Sequence, residues 1–327
     1  MDADSSSNPQ GADLSDLHLS DLQEVATPEG QISSSVREHH WSWKDKPIVA
    51  TYEVLGEGKP ILLLPSLSSV SSRSEMHGLA QRLAQKYQVV ALDWVGFGDS
   101  SRLAIAHTPA LYESFLRNFI QTIFSEPVVV VAAGHSAAYV MEIAAKAYRS
   151  SAPPWRWVVL VSPTWRGPLP TAMGEHRRFY RLLQLLINLP IVGQILYLLN
   201  TTRGFLKFMY GRHVFAEKQN ITPDLIQQKW QTTKRRNARF ASAAFVTGAL
   251  DAVKKREAWF NLFQPLPIPV LMVIGDKMPH KSRAEVEVLA HFSGVQVHRM
   301  PGSLGLHEEY PEELAQGILP FLAKYLS

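Results

Sequence analysis

Pro127-Val128-Val129-Val130-Val131-Ala132-Ala133-Gly134-His135-Ser136-Ala137-Ala138-Tyr139 decides how this chain of 327 residues folds. Four consecutive valines read as a strand buried on both faces, because β-branched side chains pack well on a pleated surface. A helical pattern follows at once, with Ala137, Ala138, Met141, Ala144 and Ala145 at helical spacing. Between the two lies Gly134-His135-Ser136-Ala137-Ala138, a Gly-x-Ser-x-small turn. Small residues two before and two after Ser136 let the chain reverse tightly, which is expected to lift its hydroxyl out of the sheet. The first N–H groups of the helix then face whatever Ser136 attacks. The plainer reading is a serine that caps a helix, but a position late in a strand and directly opening a helix favours a nucleophile.

Working outward, strands and helices alternate. Strand-like runs cover His39–Trp43, Ile48–Val54, Ile61–Leu64 and Gln88–Leu92 before the valine strand, with helices expected over 75–86 and 110–124. Beyond it come strands at Trp157–Val161, Pro269–Ile274 and 295–300, and helices at 281–292 and 310–326. This alternation predicts an α/β fold, a mostly parallel central sheet covered by helices on both faces. Residues 36–165 and 255–327 form the expected core, and 166–254 an inserted helical cap. Residues 1–35 are rich in Ser, Asp and Gly without period and are expected to form a disordered acidic tail.

Hydrophobic content of 46% and charged content of 19% are those of a globular chain with a large core. There is no cysteine, which excludes disulfides and thiolate zinc sites. No P-loop, dinucleotide fingerprint or metal motif is present, so neither cofactor nor metal is expected. The polar, acidic start carries no signal-peptide pattern, and the expected setting is intracellular. The net charge of +4 is unevenly spread: residues 1–40 carry eight acids against Arg37 alone, whereas residues 166–254 hold 14 bases and four acids. Such a field favours an anionic partner.

The order of these pieces resembles the α/β-hydrolase family over roughly residues 36–327. Asp93-Trp94-Val95-Gly96-Phe97-Gly98-Asp99-Ser100 is similar to that family's D-x-x-G-x-G-x-S loop, and a histidine falls in a loop after the last strand. The wording of Asn200–Arg212 and of Gly302–Pro311 is similar to a group found in cyanobacteria and chloroplasts. The resemblance implies Ser136 as nucleophile and His307 as its base, because a serine hydroxyl is a poor nucleophile without one. It implies the backbone N–H groups of Leu67 and Ala137 as the oxyanion hole, although Pro65-Ser66 stands where the family has His-Gly. The acid is the departure. The family position after the Pro269–Ile274 strand holds Met278, and Asp276 lies two residues earlier, so Asp276 is the candidate acid, with a dyad or a retired site as the other outcomes. Glu308 and Glu309 read as surface charges, and His135 as a packing or orienting residue.

Within the insert, Leu182–Leu199 is as long as a short membrane span, but Pro190, Gly193 and three amides interrupt it, and bases flank it. Two short apolar helices are expected, lining an acyl pocket, touching an anionic membrane surface peripherally, or capping the core. Lys234-Arg235-Arg236-x-x-Arg239 lacks a nucleic-acid motif and reads as a solvated helix face. The expected function is a serine hydrolase acting on an apolar carboxylic ester. The rival is a non-catalytic binding or assembly module that keeps the fold.

Overall fold

The computed structural model describes residues 33–148, 154–174 and 176–326. The expected acidic tail falls outside these up to residue 32, and Ser34 and Ser35 already belong to the first strand. In chain order the core begins β1 (Ser34–Trp43), β2 (Lys46–Leu55), β3 (Pro60–Leu64), α1 (His77–Leu83), β4 (Gln88–Leu92) and α2 (Pro109–Ile123). It continues with β5 (Val128–Ala133), α3 (Ser136–Tyr148) and β6 (Trp155–Val161). Helices then follow one another: α4 (Pro168–Met173), α5 (Arg177–Asn188), α6 (Pro190–Leu199), α7 (Arg203–Met209), α8 (Pro223–Thr233), α9 (Ala238–Val246) and α10 (Arg256–Asn261). The chain closes with β7 (Val270–Gly275), α11 (His280–Leu289), β8 (Val295–Met300), α12 (Leu306–Glu309) and α13 (Pro311–Leu326).

The eight strands form one sheet in the order β1-β2-β4-β3-β5-β6-β7-β8. β1 with β2 and β2 with β4 pair antiparallel, and every other neighbour is parallel. The chain steps from β3 out to β4 and then returns past β3 to β5, so the sheet reverses direction between β3 and β5. Loops at such a reversal splay apart and leave a crevice at the strands' carboxyl ends. Leu63 stands opposite Val131 in that register, which brings Pro65-Ser66-Leu67 beside Gly134-His135-Ser136.

The valine strand behaves as its composition demands. Val128, Val130 and Ala132 face the larger core layer with Tyr112 and Phe115, whereas Val129, Val131 and Ala133 face the other layer, with Leu79 and Leu314. Each fully buried valine contributes about 1.5–3 kcal/mol relative to exposure. Two expected elements came out differently for local reasons, and the apolar run divides as expected. The helix expected over 75–86 divides into a 3-10 turn, Arg73–Met76, and α1. The last helix is preceded by α12 as a separate turn, because Pro311 lacks the N–H that a continuous helix would need. The apolar run is two helices whose axes meet at 105°. Leu189, ahead of Pro190, is extended at φ −64°, ψ 142°, as the proline ring requires.

Gly98 holds the loop after β4 at φ +50°, and a Cβ there would meet Asp93 Oδ1 at 1.9 Å. The buried Asp93 carboxylate accepts from the Arg73 N–H (2.6 Å) and the Asp99 N–H (2.8 Å), so it cannot move aside freely. Gly98→Ala should therefore lower stability by roughly 2–4 kcal/mol in urea denaturation. Gly204→Ala is the control: a Cβ there meets nothing within 4 Å, and in α7 it should stabilise by about 0.5–1 kcal/mol.

Candidate active site

β5 ends in the centre of the sheet, and Gly134, at φ +51°, turns the chain into α3. A Cβ on Gly134 would stand 2.9 Å from Ser66 Cβ, so the two loops of the crevice approach as closely as glycine allows. The turn is pinned to β6 by Gly134 N–H on Val161 O (2.9 Å) and Thr164 N–H on Gly134 O (3.0 Å). The Ala137 N–H closes the turn on Gly134 O at 3.3 Å. The Leu67 side chain, on the facing loop, packs into the larger core layer.

The expected exposed hydroxyl of Ser136 is instead fully buried. It donates to Pro65 O at 2.5 Å, and the Trp94 indole N–H is shared between Ser136 Oγ (3.0 Å) and Pro65 O (3.1 Å). The cause is the loop after β4, which lays Trp94 over the turn. Its ring is held by Tyr112 and Tyr139, each with centroids 5.8 Å away. The D-x-x-G-x-G-x-S wording located this loop, but its second residue carried no sign of this contact.

His307, on α12, is buried, and its Nε2 stands 3.2 Å from Glu75 Oε2. A carboxylate only accepts, so this nitrogen carries a proton, while Nδ1 is buried without a hydrogen-bond partner among the described residues. Glu75 comes from the 3-10 turn after β3 and is itself buried. The Ser72 N–H donates to its Oε1 (3.3 Å) and the Ser66 hydroxyl to its Oε2 (3.4 Å). Lys229 descends from α8 into the same interior, with Nζ 2.7 Å from Glu308 Oε1 and 3.8 Å from Glu75 Oε1. Burial alone would raise the Glu75 carboxyl, but the Lys229 ammonium and the His307 hydrogen bond outweigh it and hold it below the usual carboxylate range. Burial alone would lower Lys229, and the Glu308 charge reverses that and pushes it up.

Asp276 does not pair with His307. Its Oδ1 accepts from the Gly302 N–H at 3.2 Å and its own N–H donates to Met300 O, so the carboxylate ties the end of β7 to the loop after β8. Met278, at the family's acid position, is buried in the larger core layer. Glu308 and Glu309 are not surface charges: Glu308 pairs with Lys229, and Glu309 accepts from the N–H groups of Ala216 (2.7 Å) and Glu217 (2.8 Å). Arg235 is exposed, as expected of a solvated face, and also reaches Gly98 O (3.1 Å) and the Asp99 carboxylate. His135 packs edge-on against Phe245 and rests on Leu250 O, with burial lowering its pKa to about 4. Glu75 was readable only as the end of Ser72-Arg73-Ser74-Glu75, a capping-box pattern, and nothing marked Lys229. Among the described residues no group of three or more His, Cys, Asp or Glu side chains could hold a metal ion.

This chain belongs to the α/β-hydrolase family, whose model matches residues 61–316. Solved structures carry the same fold. A thermophilic esterase from Thermogutta terrifontis superposes with a TM-score of 0.68 at 18% identity, covering 90% of this chain and 100% of its own. A serine hydrolase of carbazole degradation gives 0.65 at 17% identity over 89% of this chain and 100% of its own. The Cif epoxide hydrolase from Acinetobacter nosocomialis gives 0.65 at 15%, with 91% and 90% covered. A search of curated proteins finds no match.

The Glu75 network has a pH signature. Its carboxyl is held below the unfolded value of about 4.3, so its contribution is complete above that pH and is lost as pH falls through the folded value. Glu75→Gln should cost about 3 kcal/mol in urea denaturation at pH 7, since the buried Lys229 loses one of its two carboxylate partners. The gap between wild type and variant should narrow as pH falls below about 4.

Proposed function

We propose that the chain is a serine hydrolase of apolar carboxylic esters in which Glu75, not Asp276, orients the base. The observation that carries this reading is the buried Glu75–His307 pair, combined with a glycine turn that presents Ser136 at the head of α3. Ser136 Oγ attacks the acyl carbonyl carbon while His307 takes its proton. The oxyanion falls to the N–H groups of Ala137 and Leu67, and collapse expels the alcohol with the proton returned by His307. Water, deprotonated by the same imidazole, then releases the acid. Glu75 supplies what the missing family acid would: it fixes the tautomer and stabilises the imidazolium. The Ser136 hydroxyl donates to Pro65 O, so in this reading it must turn away from that carbonyl before it can react.

An acyl, isoprenoid or other lipid-like substrate suits the apolar helices α5 and α6. We assign the chain to the cytoplasm or a plastid stroma, without a nucleic-acid partner; the cyanobacterial or chloroplast grouping rests on the two quoted segments. Among the described residues no single helix is long and apolar enough to cross a membrane. A binding-module reading is favoured by one observation: the Ser136 hydroxyl is sealed, with its donor and an acceptor site both occupied.

Reaction with a fluorophosphonate probe separates the two. The hydrolase reading expects labelling of wild type and none of Ser136→Ala, with hydrolysis of medium- or long-chain aryl esters down about 10³-fold or more in Ser136→Ala and His307→Ala. Glu75→Gln should lower kcat by about 10²-fold or more with KM little changed, whereas Asp276→Asn should stay within a few-fold of wild type. Equal rates in wild type and Ser136→Ala, with no labelling, would establish the binding module.

A further inference from the structure

The helices α5 to α7 are built inside out. Of the seventeen large apolar side chains exposed among the described residues, twelve lie between Phe179 and Phe208. On α5, Phe179, Leu182, Leu185 and Leu186 face outward; on α6, Ile191, Val192, Ile195, Leu198 and Leu199 do so, with Ile191 74% exposed. Exposed Phe205 and Phe208 extend the surface onto α7. The positions buried against the protein are Tyr180, Gly193, Tyr197 and Leu206. The usual surface helix has the opposite arrangement, and an apolar area this concentrated marks an interaction site.

The hairpin is held firmly enough to present that face. A Cβ on Gly193 would meet Ile187 O at 1.8 Å, so α6 starts in backbone contact with α5. Tyr180 OH donates to Gly174 O (2.8 Å), and Arg239 donates to Gln194 Oε1 (2.9 Å), tying α6 to α9.

The charges select the occupant. No Asp or Glu lies between His176 and Ala216, whereas that stretch carries six bases. Arg178 and Arg181 are exposed on α5, Arg203 and Lys207 on α7, and the Arg212 guanidinium lies 5.9 Å from the centre of the Phe208 ring. An isologous contact with a second copy would bring these like charges together. An anionic lipid surface complements them, and outward Leu and Ile at helical spacing fit the boundary between headgroups and acyl chains. The 105° bend and the buried Tyr180 and Tyr197 keep both helices on the protein surface rather than across a bilayer. We infer that α5, α6 and α7 form a docking face that inserts shallowly into an anionic membrane surface. This surface goes beyond the chemistry assigned to Ser136 and does not depend on it.

The test is co-sedimentation of the full chain with phosphatidylglycerol–phosphatidylcholine vesicles, beside pure phosphatidylcholine vesicles, with the mass in solution followed by light scattering. Binding to the anionic vesicles should exceed binding to neutral ones by at least about tenfold and weaken towards roughly 0.5 M salt. Ile191→Asp/Ile195→Asp should reduce partitioning by about tenfold or more, with circular dichroism unchanged and Tm little altered, because both side chains are more than half exposed. Arg181→Glu/Lys207→Glu should reduce it on anionic vesicles alone. A chain that ignores anionic vesicles, or binds them equally after Ile191→Asp/Ile195→Asp, overturns the inference. So does a dimer that Ile191→Asp/Ile195→Asp dissociates, since a second copy would then own the face.

Discussion

A carboxylate buried as deeply as Glu75 must keep its charge paired, and the partners it takes join parts of the chain far apart in sequence. His307 reaches it from beyond the last strand, Lys229 from α8, and Ser66 from the loop after β3. Lys229 carries the pairing on to Glu308, the neighbour of His307, so the ammonium lies between two carboxylates that it shares. Removing Lys229 would leave the Glu75 charge without its ion-pair partner, away from water. The pairing fixes the imidazole in one orientation, and the helices between β6 and β7 are bound to the loop that carries it.

The same joint is reinforced by neutral contacts. Glu309 accepts two backbone N–H groups at Ala216 and Glu217, Ser303 Oγ donates to His213 O, and the Gly305 N–H donates to Val214 O. Backbone groups that would otherwise be orphaned at the end of a helix are satisfied by the histidine loop. The geometry of His307 therefore follows the position of the inserted helices.

Ser136 lies under a second constraint. The sheet reverses between β3 and β5, which places the Pro65 carbonyl where the serine hydroxyl projects, and the Trp94 indole fills the remaining space. Three polar groups satisfy one another in a dry pocket, where leaving any of them unpaired would cost about 1–3 kcal/mol. A closed serine is the consequence of this packing. Opening it requires a substitute acceptor for the hydroxyl.

What neighbours in sequence control was legible from the chain alone. The valine strand, the glycine turn before Ser136, the alternation of strands and helices and the break at Pro190 depend on side-chain branching, positive φ and the missing proline N–H. These act within a few residues. The choice of carboxylate for His307 was not legible in this way. Asp276, near the family position, is taken by the Gly302 N–H, while Glu75, 232 positions from the histidine, arrives by the sheet's crossover. The burial of Ser136 and the pairing of Glu308 and Glu309 escaped for the same reason. Which charged groups meet in the interior is set by strand order and helix docking, and these bring together residues that share no local pattern.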